Sequence, residues 1–236
     1  MRRVIDLTIG YSEDMIVACE SERPRIERIN DYQPPNWHRM HKITHLYYHI
    51  GTHTDAPSHY IQGGRNLDEI DPQSFYGDAV MLDLSFRAAD EPITVEDVKK
   101  AEEKVSSAIQ AGDMVLLMTQ WSSQKWGNHE YYARSPFLLR ETAEYLITKS
   151  PRALGYDFVH ERYSNLRKPS GGNEAQKDVW AWRPIHMVVL SAGIYQVEHL
   201  IHLEKIRKQR FEIVVAPLLF HGLEGAPSRV YAIEND

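Results

Sequence analysis

Short apolar runs alternate along this chain with polar stretches that carry glycine and proline. Val4 to Ile9 reads as an opening strand. The turn-rich, charged segment from Gly10 to Asn36 predicts loop or irregular ribbon, and the apolar, aromatic run from Ile43 to Tyr48 predicts a strand. Gly63-Gly64 marks a turn, and Ala79 to Leu84 is continuous enough in apolar character to be a buried strand. Thr94, followed by Val95-Glu96-Asp97, opens a helix: threonine caps free N–H groups and acids favour the positive helix end. Val95, Val98, Ala101, Val105, Ala108 and Ile109 continue at helical spacing to a stop at Gly112.

A strand from Asp113 to Thr119 follows, then a helix opening at Ser135-Pro136 and running to about Ser150, then a strand from Ala153 to Asp157. His160 to Lys177 reads as a long polar loop. Pro184 starts a third helix that ends at Gly193, ahead of short strands at Tyr195–Leu200 and Phe211–Pro217. This alternation predicts an α/β fold with some parallel pairing, in one domain spanning 1–236.

The candidate chemistry concentrates in His49-Ile50-Gly51-Thr52-His53-Thr54-Asp55-Ala56-Pro57-Ser58-His59. Imidazole nitrogen and carboxylate oxygen are the usual protein donors to zinc and similar divalent ions. In extended backbone, residues two apart share a face, so His49, Gly51, His53 and Asp55 are expected to point one way, with Gly51 leaving room between ligands. Pro57 ends the run and sets His59 on a loop, where a mobile acid/base would sit. His38, His41 and His45 lack a supporting carboxylate and read as pocket wall or surface. A metal needs further donors, and His186 with Glu198 are the distant candidates; the alternative for that pair is a helix-start histidine and a surface glutamate.

Composition narrows the function classes. Net charge is −6 with no basic cluster, so nucleic acid and anionic membranes are not expected as partners. Cys19 is the one cysteine, which excludes an internal disulfide and a cysteine-based zinc site. No secretory signal or membrane-length apolar run is present, so a cytoplasmic location is the expectation.

The run from His49 to His59 resembles the HxGTHxDxPxH signature of the cyclase family of metal-dependent hydrolases, which includes bacterial kynurenine formamidases and isatin hydrolases. The similarity extends to Ile5-Asp6-Leu7-Thr8, to Gly64 through Leu84, to Pro184 through Glu198, and to Ala216-Pro217 with Gly225-Ala226-Pro227-Ser228-Arg229. The resemblance implies a swivelling β/β/α fold with a mixed sheet and flanking helices, assembled as a homodimer or homotetramer. It implies His49, His53 and Asp55 as metal ligands, with Asp55 able to bridge two ions. His59 becomes the general acid/base, and His186 and Glu198 complete a second metal position or its surroundings. The cofactor is then zinc or manganese, as one or two ions.

Where formamidases carry an aromatic residue and Pro-Gly near the N-terminal substrate loop, this chain has Met15-Ile16-Val17-Ala18-Cys19, which makes Val17 a candidate substrate contact. Asp157 to Trp180 is longer than in a formamidase, with His160, Glu161 and Arg162 where substrate would be chosen. Trp121, Trp126, Tyr131 and Phe137 follow a strand end and either clasp a flat substrate or pack the core; the resemblance favours Trp121 as pocket wall. The leading expectation is a small-molecule hydrolase cleaving the C–N bond of a formamide, amide or cyclic imide. A lactone hydrolase or cyclase on the same metal site, and a non-catalytic small-molecule or metal-binding protein, remain alternatives.

Overall fold

The computed structural model describes residues 2–105, 108–162 and 179–235. Twelve strands are present among them: β1 (Arg2–Asp6), β2 (Arg25–Gln33), β3 (Asn36–His45), β4 (His53–Asp55), β5 (Tyr76–Asp83), β6 (Pro92–Ile93), β7 (Met114–Met118), β8 (Phe137–Leu138), β9 (Ala153–Tyr156), β10 (Tyr195–Glu198), β11 (Arg210–Pro217) and β12 (Gly225–Asn235). The helices are α1 (Val95–Lys104), α2 (Trp121–Lys125), α3 (Glu130–Ala133), α4 (Arg140–Ile147), α5 (Val179–Trp182) and α6 (Pro184–Ser191).

The main sheet runs β1-β12-β11-β5-β7-β9-β10-β4, and β4 pairs again with β12. Seven strands thus close into a barrel-like ring, with β1 added beside it. Pairings among β5, β7, β9 and β10 are parallel, as the strand–helix alternation requires, and the others are antiparallel. One edge of β12 does two jobs. Its residues 231–235 pair with β1, and Gly225-Ala226-Pro227 pair with β4 and close the ring.

Strand alternation divides the apolar residues into two cores. Ala79, Met81, Met114, Leu116, Met118, Val197 and Ile213 point into the ring. Val80, Leu82, Val115, Leu117, Leu154 and Tyr156 point outward, against Val98, Ala143, Leu146, Ile185 and Val189 of the helical layer. Each fully buried side chain of this size contributes roughly 1.5–3 kcal/mol. The result is the expected α/β mixed sheet with flanking helices. Among the described residues no helix is long and apolar enough to cross a membrane.

Four local expectations are corrected. The stretch assigned to loop before Asn36 contains β2, and the strand expected at Ile43–Tyr48 is instead the end of β3; the two form an exposed hairpin outside the main sheet. Its sequence mixes charges and isolated apolar residues, so no buried face announces it. Helix α1 stops at Lys104, because Val105 turns to extended backbone and two serines follow; β-branched and hydroxyl side chains support a helix poorly. The second helix begins at Arg140, since Phe137-Leu138 pair in parallel with Pro92-Ile93. Most of the loop assigned to His160–Lys177 lies outside the described residues. Helix α6 and strands β5, β7, β9, β10 and β11 fall within a few residues of their expected bounds.

Candidate metal centre

The outer face of β4 and β10 carries the site. Glu198 stands opposite His53 and Gln196 opposite Asp55, while Val197 and Thr54 pair between them and point into the ring. Antiparallel register and strand alternation therefore place His53, Asp55 and Glu198 on one face.

His49 reaches the same place by a turn, not by strand spacing. Gly51 has φ +55, a left-handed conformation that glycine adopts without strain. A side chain there would meet Met15 Cε at 3.2 Å and Ile9 O at 3.3 Å. Glycine at this position thus serves the turn and its close packing; the expected role of making room for a metal is corrected. Thr52 pins the turn, accepting from Ile9 N at 2.7 Å and donating to the His199 carbonyl at 2.6 Å. Gly225 makes room for His49: a Cβ added there would lie 2.8 Å from His49 Cε1.

Beyond β4, a short 3-10 turn over Pro57–His59 brings the His59 ring to stack on His49, with centroids 4.0 Å apart. Helix α6 supplies His186 from its first turn. Glu161 accepts at Oε1 from the Ile185 and His186 amides at 2.9 and 3.0 Å, and lies 3.1 Å from His186 Nδ1.

These contacts determine which atoms face the centre. His53 Nδ1 donates to the Gly51 carbonyl at 2.9 Å, which leaves Nε2 as the lone-pair nitrogen, 3.4 Å from Asp55 Oδ1. His186 Nδ1 is engaged by Glu161, so its Nε2 faces Glu198 Oε1 at 3.0 Å and Asp55 Oδ2 at 3.6 Å. His49 Nδ1 is 2.8 Å from Asp55 Oδ1. Asp55 Oδ2 and Glu198 Oε1 are buried and have no hydrogen-bond partner among the described residues. Carboxylate oxygens that converge with imidazole nitrogens in a buried site require positive charge between them. Protons on the histidines meet part of that demand. Burial opposes charging of His49, but Asp55 outweighs it and pushes its pKa up to about 9. His186 is likewise raised well above its usual value against burial, by Asp55, Glu161 and Glu198. Asp55 is held well below the usual carboxylate range, since His59, His49 and His53 outweigh its burial.

The donor types and the orphaned acceptors fit divalent ions. Donor atoms of His49, Asp55 and His59 lie within 4.8 Å of one another, as do those of His53, Asp55 and Glu198. Asp55 belongs to both groups. His59 differs from the others: it is 19% exposed, and burial lowers its pKa to about 3, with Asp55 opposing and His49 and His186 assisting. It is neutral at pH 7.

The structure gathers His49, His53, Asp55, His59, His186 and Glu198 around one cavity. It does not bring Trp121 there. That ring is buried in the outer core with Nε1 donating to the Tyr131 carbonyl at 3.0 Å, so its expected place in the pocket wall is corrected. Val17 is half-buried, and its neighbours Ala18 and Glu22 reach the cavity instead. His38, His41 and His45 are exposed on β3. Sequence reasoning missed His199, which follows Glu198 and lines the cavity, and Glu224, whose Oε1 is 3.5 Å from His49 Nε2. It placed His160 and Glu161 in a substrate-selecting loop; both are buried beside α6. An HE pair directly after the buried strand β9 and Phe158-Val159 was the available signal.

The chain is similar in sequence and in fold to proteins already described. Kynurenine formamidase of Bacillus cereus is 26% identical over 181 residues, 77% of this chain and 74% of that protein. Isatin hydrolase of Roseibium aggregatum is 25% identical over 197 residues, 78% of this chain and 71% of that one. The solved structure of isatin hydrolase A from Labrenzia aggregata, bound to benzyl benzoate, superposes with a TM-score of 0.81 at 28% identity, covering 100% of this chain and 94% of its own. These relatives are hydrolases. The family model described as "Putative cyclase" matches residues 5–160, more than half of the 236, and the chain therefore belongs to the cyclase family.

Proposed function

We propose that the protein is a metal-dependent hydrolase that opens the C–N bond of a small formamide, amide or cyclic imide. The observation that carries this reading is the convergence of imidazole nitrogens and buried carboxylate oxygens beside the partly exposed His59. The kynurenine formamidase and isatin hydrolase names of the relatives point to the same bond type.

His49, His53 and Asp55 would hold a zinc or manganese ion, with His186 and Glu198 serving a second position. A divalent ion bound there lowers the pKa of water and polarises a carbonyl. His59 takes the proton that water loses on attacking the carbonyl carbon, then returns it to the nitrogen as the C–N bond breaks. Asp55 Oδ2, 3.9 Å from His59 Nε2, favours the imidazolium formed between those two transfers. Tyr47, Tyr60 and Tyr132 line the cavity and present aromatic walls to a planar acyl compound.

Hydrolysis of a panel of formamides, cyclic imides and lactones, with and without chelator, tests the reading. Turnover of a C–N substrate that chelator abolishes and added metal restores is expected. Turnover confined to lactones would move the activity to C–O bonds, and turnover that survives complete metal removal would sink the metal reading. His59→Asn should lower kcat by about 10²–10⁴-fold with metal content unchanged.

A further inference from the structure

We propose that His160 is a metal ligand, so that the second position of the centre is held by His160, His186 and Glu198 together with Asp55 Oδ2. This inference rests on the metal-centre reading above and extends it with a side chain placed outside the signature and outside the His186–Glu198 segment.

His160 is 1% exposed, and neither ring nitrogen has a hydrogen-bond partner among the described residues. A buried imidazole with two unanswered nitrogens costs about 1–3 kcal/mol for each unsatisfied group. A fold keeps such a group where something else answers it. The ring is also held firmly. It stacks on Tyr156 with centroids 4.4 Å apart and planes 17° from parallel, and its carbonyl accepts from Leu138 N at 3.0 Å. Tyr156 is fixed in turn, its hydroxyl donating to Gln196 Oε1 at 2.9 Å.

The distances are those of ligands around one ion. Donors at about 2.0–2.1 Å from a tetrahedral centre lie roughly 3.3 Å from one another. Glu198 Oε1 is 3.7 Å from His160 Nε2 and 3.0 Å from His186 Nε2, and His186 Nε2 is 3.6 Å from Asp55 Oδ2. Donor atoms of His160, His186 and Glu198 all lie within 4.8 Å of one another. The atom that joins the two imidazoles, Glu198 Oε1, is itself a buried acceptor with no hydrogen-bond partner. Two nitrogens and two carboxylate oxygens suit a borderline transition-metal ion such as Zn²⁺ or Mn²⁺. Asp55 divides its oxygens accordingly, Oδ1 lying beside His49 and His53 and Oδ2 beside His186.

Metal-free full-length protein titrated with Zn²⁺ or Mn²⁺ in a calorimeter, with elemental analysis after dialysis, tests the assignment without reference to activity. The wild type is expected to take two ions per chain. His160→Phe fills the ring's volume and keeps the stack on Tyr156 but offers no donor. It should retain one ion at wild-type affinity and bind the other at least about tenfold more weakly. Two ions with unchanged affinities in H160F would overturn the proposal. A wild type that holds one ion would also overturn it while leaving the first position standing, and a wild type that holds none would overturn the metal reading beneath it. If H160F lacks the native circular dichroism, H160A is measured in its place against the same outcomes.

Discussion

Glu161 offers a sharp perturbation, because one oxygen of a buried carboxylate supports both the start of α6 and the orientation of His186. Burial opposes its ionisation, yet His186 and His160 hold it below the usual carboxylate range, so it is charged at neutral pH. Glu161→Ala removes the acceptor for the Ile185 and His186 amides, at 2.9 and 3.0 Å. Each buried N–H left unanswered costs about 1–3 kcal/mol, so the pair should cost roughly 2–6 kcal/mol, a large part of a typical folding free energy. Glu161→Gln keeps an oxygen for those amides but removes the negative charge beside His186 Nδ1. Its effect should fall on metal affinity, which is expected to drop about 10–100-fold, or roughly 1.4–2.7 kcal/mol. Denaturant unfolding of the metal-free proteins reads the first effect, and calorimetric metal titration reads the second. If E161A unfolds at the wild-type denaturant concentration, or E161Q binds metal as the wild type does, the supporting role assigned to this carboxylate is wrong.

Two further perturbations separate the site from its frame. Gly225→Ala puts a Cβ 2.8 Å from His49 Cε1 and 2.9 Å from the Thr54 carbonyl, so it should displace His49, weaken metal binding and cost about 1–3 kcal/mol; an unchanged metal titration would show that His49 is not held from this side. Asp97 closes the capping box of α1 and pairs with Arg87; burial raises its pKa, but Arg87 and Thr94 outweigh this and hold it below 3.8. Its stabilising contribution is therefore complete above about pH 4 and is lost as pH falls through the lower folded value. Asp97→Asn should cost about 0.5–2 kcal/mol at pH 7 and flatten the acid limb of stability against pH; an acid limb identical to the wild type would contradict this.

The parts of the molecule legible in the sequence are those whose signal is local. The N-terminal cap of α1, the proline that opens α6, the buried strands β5, β7 and β9 and the spacing of His53, Asp55 and His59 all express rules that act over a few residues. Three features are not local. The position of His49 depends on a left-handed Gly51 and on Gly225, far away in the chain, so strand periodicity gave it the wrong route to the right place. Trp121 follows a strand end as a pocket residue would, but its indole N–H finds the Tyr131 carbonyl, and that bond turns the ring into the core. His160 and Glu161 open a polar stretch, and their burial depends on α6, whose Ile185 amide donates to Glu161, a partner distant in the chain.

The ring of strands closes through β4, which is only three residues long and is gripped by β10 on one side and by Gly225-Ala226-Pro227 on the other. Its outward side chains are His53 and Asp55, and Glu198 of β10 stands opposite His53. The shortest link in the ring is thus also the link that an ion would tie to the rest, in the manner of a clasp on a band. Opening this seam would separate Asp55 from Glu198, so release of metal and loosening of the barrel become one event, linked by mass action. Amide exchange at Thr54 should accordingly slow when metal is added, while exchange in the middle of β7, far round the ring, should respond little.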